Sequence, residues 1–160
     1  MRVRRLIREP KVMLTDTRWS TTDLPPKHSA IYPKTKPVRA GWEWRSAKAR
    51  SLDPMEPSDY VLLAECNPRR GNWKAALIVQ TDGGASVVGR FEFHGDHPGL
   101  HAHADCDRSG VETGPTSFGR LARFPGGGRF HRRNTFWTPV TFWDAARRFF
   151  RITEKQGSLI

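Results

Sequence analysis

Residues 59–94 read DYVLLAECNPRRGNWKAALIVQTDGGASVVGRFEFH, and this stretch decides the fold. Its apolar runs are separated by NPRRGN and DGG, which are rich in residues that favour turns. Short runs of Val, Leu, Ile and Phe between such turns predict β-strands. The three runs, and a fourth after the turn GDHPG, cover 59–66, 73–81, 85–94 and 100–106. The chain from 59 to 106 therefore predicts an antiparallel meander of four strands.

The last two predicted strands each have an apolar and a polar face, because strand residues alternate between the two sides of a sheet. The apolar faces carry Val87, Phe91 and Phe93 in one strand and Leu100, Ala102, Ala104 and Cys106 in the next. The polar faces carry Arg90, Glu92 and His94 in one strand and His101, His103 and Asp105 in the next. A slip of one residue would bury two histidines among the phenylalanines. We therefore predict the register that pairs Phe93 with Leu100, Glu92 with His101, Phe91 with Ala102 and Arg90 with His103.

The polar face groups side chains that suit acid–base chemistry on a phosphate ester. Two imidazoles near neutral pKa, those of His101 and His103, form an acid and base pair. Glu92 or Asp105 would orient a ring, and Arg90 would hold a phosphate. His94 belongs to the same predicted catalytic set. Cleavage of RNA by its own 2′-hydroxyl needs a base, an acid and a cation, so the sequence predicts this activity with no metal or other cofactor.

Two other interpretations of the histidines stay open. Four imidazole and carboxylate groups, those of His94, His101, His103 and Asp105, form an HxHxD pattern with a facing histidine, which suits zinc, iron or manganese. Alternatively the face is an inert solvated surface, since cross-strand Glu–His and Arg–Asp pairs are ordinary in sheets.

The charge of the chain favours a polyanionic partner. The net charge is +11, with 27 basic and 16 acidic residues. Between 120 and 133 there is no acid, and aromatic residues lie among the cations. The predicted nucleic-acid-binding residues of this segment are Arg120, Arg123, Arg129, Phe130, His131, Arg132 and Arg133. Arginine beside aromatic rings suits single-stranded nucleic acid through phosphate pairing and base stacking, although a basic loop that docks on the sheet would have the same composition.

The rest of the chain completes an α+β fold class. Residues 1–58 hold seven of the twelve prolines, so a basic, Pro-rich N-terminal arm is predicted, with a short helix in 42–52. Alternatively this region is an irregular layer whose tryptophans close the core. Residues 59–153 form the predicted core domain and 154–160 a tail. A C-terminal helix over 139–152, with Thr138 as N-cap, should cover the apolar face of the sheet.

Together these features predict a protein that acts on or binds nucleic acid, with RNA favoured over DNA as its partner, and in particular a small, toxin-like ribonuclease. A non-catalytic module that binds nucleic acid or an acidic protein is the other candidate. The two cysteines, Cys66 and Cys106, form no CxxC motif, and no stretch reaches the roughly 20 apolar residues of a membrane span. The expected setting is soluble, reducing and cytoplasmic, with no membrane partner.

Overall fold

The computed structural model describes residues 3–24, 38–82, 84–94, 99–104 and 136–156. In chain order the elements are α1 (Val3–Arg8), β1 (Lys11–Asp16), β2 (Glu43–Ser51), β3 (Asp59–Asn67), a 3₁₀ turn (Pro68–Arg70), β4 (Asn72–Thr81), β5 (Gly84–His94), β6 (Gly99–Ala104), α2 (Pro139–Phe149) and β7 (Ile152–Thr153).

The strands form one seven-stranded sheet in the order β6-β5-β4-β3-β2-β1-β7. Every neighbouring pair is antiparallel except β1 and β7, which are parallel. The predicted meander corresponds to β3–β6, and the described bounds of its strands differ from the prediction by one or two residues. The sheet and the C-terminal helix give the chain the α+β architecture that its sequence predicts.

Helix α2 packs on one face of the sheet and forms the main core with it. Its first turn is stabilised by a capping box, in which the Thr138 hydroxyl accepts from the backbone N–H of Thr141 and the Thr141 hydroxyl accepts from that of Thr138. The ring of Phe91 on β5 lies 5.6 Å from that of Phe142 and 5.0 Å from that of Phe149. Phe91 and Phe142 are fully buried, so the predicted cover of the apolar face is confirmed.

The C-terminal helix ends three residues earlier than predicted, at Phe149 rather than 152. Phe150 is its C-cap. Arg151 has a left-handed φ of 56°, and a right-handed α-helix cannot continue past a residue in this conformation. The chain then turns into β7, where Ile152 and Thr153 pair with the first two residues of β1. The energy of this pairing and the burial of Ile152, which is 3% exposed, outweigh one more helical turn.

The predicted short helix in 42–52 is wrong, because this segment is strand β2. It pairs with β3 from Glu43 opposite Cys66 to Arg50 opposite Asp59, and its other edge pairs with β1. Leu52, which a helix would have turned inward, is 56% exposed. Helix propensity is a weak preference, and the ladder with β3 along residues 43–50, together with the pairing of residues 47–51 with β1, overrides it here.

A separate N-terminal arm over 1–58 is not confirmed. The described parts of this region contribute α1, β1 and β2, and two of these elements are strands of the same sheet as the meander. Four of the region's prolines, at 25, 26, 33 and 37, lie outside the described residues. The predicted boundary at 58 therefore falls between two neighbouring antiparallel strands, β2 and β3.

The second face of the sheet also carries a buried apolar cluster. It consists of Trp44, Val61, Leu63, Ala76 and Ile78, with Leu24, Val38, Ala85 and Val87 packed against it. Val87 was predicted to lie with Phe91 and Phe93, and that prediction is wrong. Leu77 pairs with Gly89 but Ile78 pairs with Val87, so Val88 is an extra residue in β5. This β-bulge reverses the faces on its N-terminal side.

Lys11 connects the two helices at their C-terminal ends. Its side chain is fully buried, and its Nζ donates to the carbonyl oxygens of Ile7, Glu9 and Phe150 at 3.3, 2.8 and 3.1 Å. Nζ also lies 4.8 Å from the centre of the Tyr60 ring. Burial lowers the pKa of Lys11 to about 7, although Glu9 opposes this. The C-terminal carbonyls of a helix lack intrahelical donors, and this ammonium supplies them for both helices.

Candidate functional site

The predicted register of the last two strands is confirmed. Phe93 pairs with Leu100, Glu92 with His101, Phe91 with Ala102 and Arg90 with His103. Phe91 and Phe93 lie under α2 with exposures of 0% and 7%. Since neighbours across a ladder share a face, His101 and His103 occupy positions on the face of β5 that carries Glu92 and Arg90.

Glu92 is the centre of the polar face, and its exposure is only 7%. Its Oε1 lies 3.1 Å from Nη1 of Arg90, and its Oε2 lies 3.4 Å from Nε2 of His94. Nδ1 of His94 is 3.4 Å from Oδ1 of Asn72, the residue opposite it on β4. The buried carboxylate is thus held between a guanidinium and an imidazole, because residues 90, 92 and 94 alternate onto one face.

A row of opposed charges continues this site across the sheet. Lys74 on β4 lies opposite Glu92, and Glu65 on β3 lies opposite Lys74. Nζ of Lys74 is 3.0 Å from Oε2 of Glu65 and 5.7 Å from the centre of the Trp42 ring. Charge therefore alternates along the row, which His101 extends by its register. Among the described side chains this row is half-buried to buried, unlike a fully solvated sheet face.

Lys74, Glu65 and Asn72 also belong to this face, and the sequence does not predict them as site residues. If the pairing beside the DGG turn continued without a bulge, Lys74 would lie opposite Phe91, on the apolar side of the sheet. The bulge at Val88 moves the pairing by one residue and sets Lys74 against Glu92. Polar residues at alternate positions of both strands were the signal that such a shift was needed.

Only part of the predicted site is described. The side chains of Arg90, Glu92 and His94 are placed, and for His101 and His103 the backbone register is placed. The remaining predicted residues lie outside the described ones: Asp105, Arg120, Arg123, Arg129, Phe130, His131, Arg132 and Arg133. Within the ranges that the structure describes, no three His, Cys, Asp or Glu residues form a metal-binding group. The predicted metal set, His94 with His101, His103 and Asp105, is mostly outside that search and stays a prediction.

A cleft opens at the same end of the sheet, between the start of β2 and the 3₁₀ turn. Its volume is about 340 Å³, and its lining residues are Thr21, Gly41, Trp42, Glu43, Pro68 and Arg69. The 3₁₀ turn is fixed by Asn67, whose Oδ1 accepts from the backbone N–H of Arg70 at 3.2 Å. Gly41 has a φ of +84°, and a Cβ there would come within 3.3 Å of the Asn67 side chain. The glycine thus lets the chain pass close to the turn.

Comparison of the chain with protein-family models found no matching family, and comparisons with curated proteins and with solved structures found no match. No helix in the described part of the chain is long and apolar enough to cross a membrane.

Proposed function

We propose that the polar face of β5 and β6 binds single-stranded RNA and cleaves it by intramolecular transesterification without a metal. One observation carries this proposal. The register sets His101 opposite Glu92 and His103 opposite Arg90, on a face where Glu92 already contacts a guanidinium and an imidazole. An acid, a base, a carboxylate and a cation therefore share a few adjacent positions.

The reaction needs two proton transfers and one displacement at phosphorus. Either His101 or His103 acts as the base and takes the proton of the 2′-hydroxyl. The 2′-oxygen then attacks the adjacent phosphorus. The bond from phosphorus to the 5′-oxygen breaks, and the other histidine protonates that oxygen. The products are a 2′,3′-cyclic phosphate and a 5′-hydroxyl. No oxidant, reductant or water is consumed in this step.

Arg90 and Glu92 would prepare the phosphate site in this mechanism. The side chain of Arg90 is 38% exposed, whereas that of Glu92 is 9% exposed. The buried carboxylate can therefore hold the guanidinium in place while part of it remains accessible to a phosphate oxygen. His94 contacts Glu92 from the other side, which orients its ring toward the same face.

The test is cleavage of a 5′-labelled single-stranded RNA in EDTA. We expect 2′,3′-cyclic phosphate ends, and loss of about a hundredfold or more in rate for each of His101→Ala and His103→Ala, in line with general acid–base catalysis. His28→Ala, a histidine outside β5 and β6, is the matched control. An RNA with a 2′-deoxyribose at the cleaved position should stay intact. Intact RNA with wild-type protein, or equal cleavage by the double variant, would refute the activity.

A non-catalytic RNA-binding module is the second candidate. The contacts of Glu92 with Arg90 and His94 favour this candidate, because side chains that pair with one another can stabilise the sheet without taking part in catalysis. In that case the His101→Ala and His103→Ala variants would bind RNA as the wild type does. Replacement of Arg129, Arg132 and Arg133 would then weaken binding and reduce its dependence on salt. If these arginine replacements weaken binding to an acidic protein in the same way, the partner is a protein and not RNA.

A further inference from the structure

We infer that the indole of Trp42 is a stacking platform for an unpaired base of the RNA, with Lys74 as the contact for a neighbouring phosphate, and this inference rests on the proposed function. Both side chains lie on the polar face of the sheet, together with Arg90, Glu92 and His94. Proteins bind unpaired RNA by stacking its bases on aromatic rings and by pairing its phosphates with cations. An aromatic ring beside an ammonium group supplies both contacts at one place.

Trp42 differs from the other tryptophans because it packs in neither of the two apolar clusters that the described residues form. The other five belong to these clusters or pack against them: Trp19, Trp73, Trp137 and Trp143 under α2, and Trp44 on the second face. Trp42 is half-buried and lines the cleft together with Arg69. A large aromatic ring that contributes to no core and borders open space can receive a ligand.

The register fixes the face of the sheet on which this indole lies. Glu43 lies opposite Cys66, which is buried in the core under α2, so Glu43 belongs to the face that the helix covers. Alternation puts its neighbour Trp42 on the other face. The contact with Lys74 agrees, since Nζ lies 5.7 Å from the centre of the indole and Lys74 is opposite Glu92. The platform therefore shares its face with the proposed reaction site, and the Glu43 carboxylate is not part of it.

Lys74 and two arginines give this end of the sheet cations for the RNA chain. The side chain of Lys74 is 34% exposed although its Nζ lies 3.0 Å from Oε2 of Glu65, so a phosphate oxygen can still reach it. Arg69 and Arg70 are exposed in the 3₁₀ turn, and Arg69 lines the same cleft as Trp42. Phosphates on both sides of a stacked base would therefore lie near a positive charge.

The distance to the reaction site limits what the indole can do. Trp42 directly precedes β2, whereas the Arg90–Glu92–His94 cluster lies on β5, three strands further along the sheet. Three strand spacings are about 14 Å, which is too far for the ring to touch the reacting phosphate. Loss of the ring should therefore weaken RNA binding and leave the rate of cleavage of bound RNA unchanged.

The experiment measures binding with probes that the proposed reaction cannot cleave. They are two fluorescent 2′-O-methyl strands of equal charge, hexauridylate and a hexamer of abasic nucleotides. We expect Trp42→Leu to weaken hexauridylate binding about tenfold and to leave binding of the abasic strand unchanged, because only the first probe has bases to stack. Trp42→Phe should restore most of the loss. Phe136→Leu removes a ring that is 97% exposed just before α2, and this control should bind both probes as the wild type does.

The phosphate contact has its own variants. Lys74→Gln should reduce the dependence of log K on log salt by about 0.7 for both probes, the contribution of one phosphate in a single strand. Lys74→Arg keeps the charge and should keep the wild-type dependence. Lys155→Gln, at an exposed position after β7, is the charge control.

The outcomes separate the platform from the ribonuclease. Equal binding of the two probes by the wild type, or equal loss of both in Trp42→Leu and Trp42→Phe, overturns the platform even if RNA is cleaved. Selective loss of hexauridylate binding, with ribose RNA left intact by the wild type, supports the platform and overturns the ribonuclease. Where ribose RNA is cleaved, Trp42→Leu should raise KM about tenfold at constant kcat. A lower kcat at constant KM would contradict the platform.

Discussion

Raising the pH from 7 to 10.5 is expected to stabilise the protein through Lys11. Burial lowers the pKa of this lysine to about 7 in the folded chain, from an ordinary value of 10.5. Below pH 7 both the folded and the unfolded chain hold the proton, so Lys11 adds no pH dependence. Between 7 and 10.5 only the unfolded chain keeps it, and the free energy of unfolding rises with pH. Above pH 10.5 both states have lost the proton, so the contribution of Lys11 to the free energy of unfolding no longer changes with pH.

The size of the effect follows from the two pKa values. A difference of about 3.5, from 10.5 to about 7, corresponds to roughly 4–5 kcal/mol over the whole window. The groups that act on Lys11 are Glu9, which favours its charged form, and Arg151, which disfavours it. Tyr60, under the ammonium, has a pKa raised by burial and by its hydrogen bond to Glu9.

The assay is urea unfolding at pH values from 6 to 10.5, with tryptophan fluorescence, for the wild type and Lys11→Met. The difference between the two curves removes the titration of Tyr60 and of all other shared groups. We expect this difference to grow with pH by several kcal/mol, whereas Lys48→Met, at an exposed position of β2, should follow the wild type. Parallel curves for wild type and Lys11→Met would refute the reasoning, and would mean that the three carbonyl acceptors keep the ammonium charged.

Three further predictions concern the core. Phe91→Ala should cost about 3–5 kcal/mol of unfolding free energy in urea, because a fully buried ring between two helix aromatics is removed; a loss below 1 kcal/mol would contradict the packing. Gly89→Ala should cost about 1–3 kcal/mol in the same assay, since its Cβ would lie 3.0 Å from Cδ1 of Ile7; unchanged stability would show that α1 can move. Burial raises the pKa of the Cys66 thiol to about 12, so in a Cys106→Ser background Ellman's reagent should react only after unfolding, and rapid reaction of the folded protein would contradict this.

The meander was predictable because its local signals agree with one another. Turn residues lie between apolar runs, and residues 90–94 alternate between polar and apolar as a half-buried strand should. The pairing of Glu92 with His101 followed from one rule: the phenylalanines go to the buried face, and a one-residue slip would turn His101 and His103 onto that face. The structure has this register, so the candidate site on β5 and β6 was predictable as a set of positions.

The strand β2 was not predictable from its own residues. WEWRSAKARSL contains alanine, lysine and arginine, which favour a helix in isolation. The burial pattern of β2 follows its two neighbours instead, with Ala47 and Ala49 at 2% and 1% exposure against the core under α2. The local preference for a helix is overridden because β3 pairs with residues 43–50 of this segment and β1 pairs with residues 47–51.

The bulge at Val88 shows the same limit within a correctly predicted strand. Nothing in ASVVGRFEFH marks which of its residues is extra. The position is decided by packing, since Val88 is fully buried in the core under α2 while Val87 packs on the opposite cluster. Without that shift Lys74 would meet a phenylalanine instead of Glu92.

By itself the sequence determined the four-stranded meander, the N-cap of the C-terminal helix and the face on which each residue from 90 to 94 lies. These features depend on periodicity and turn chemistry, which act between residues close in the chain. Only the tertiary structure decided that residues 43–51 form a strand and that β7 is the edge strand beside β1. It also decided that Lys74 and Trp42 belong to the polar face. Each of these depends on a partner far along the chain, whose hydrogen bonds or buried surface outweigh the local preference.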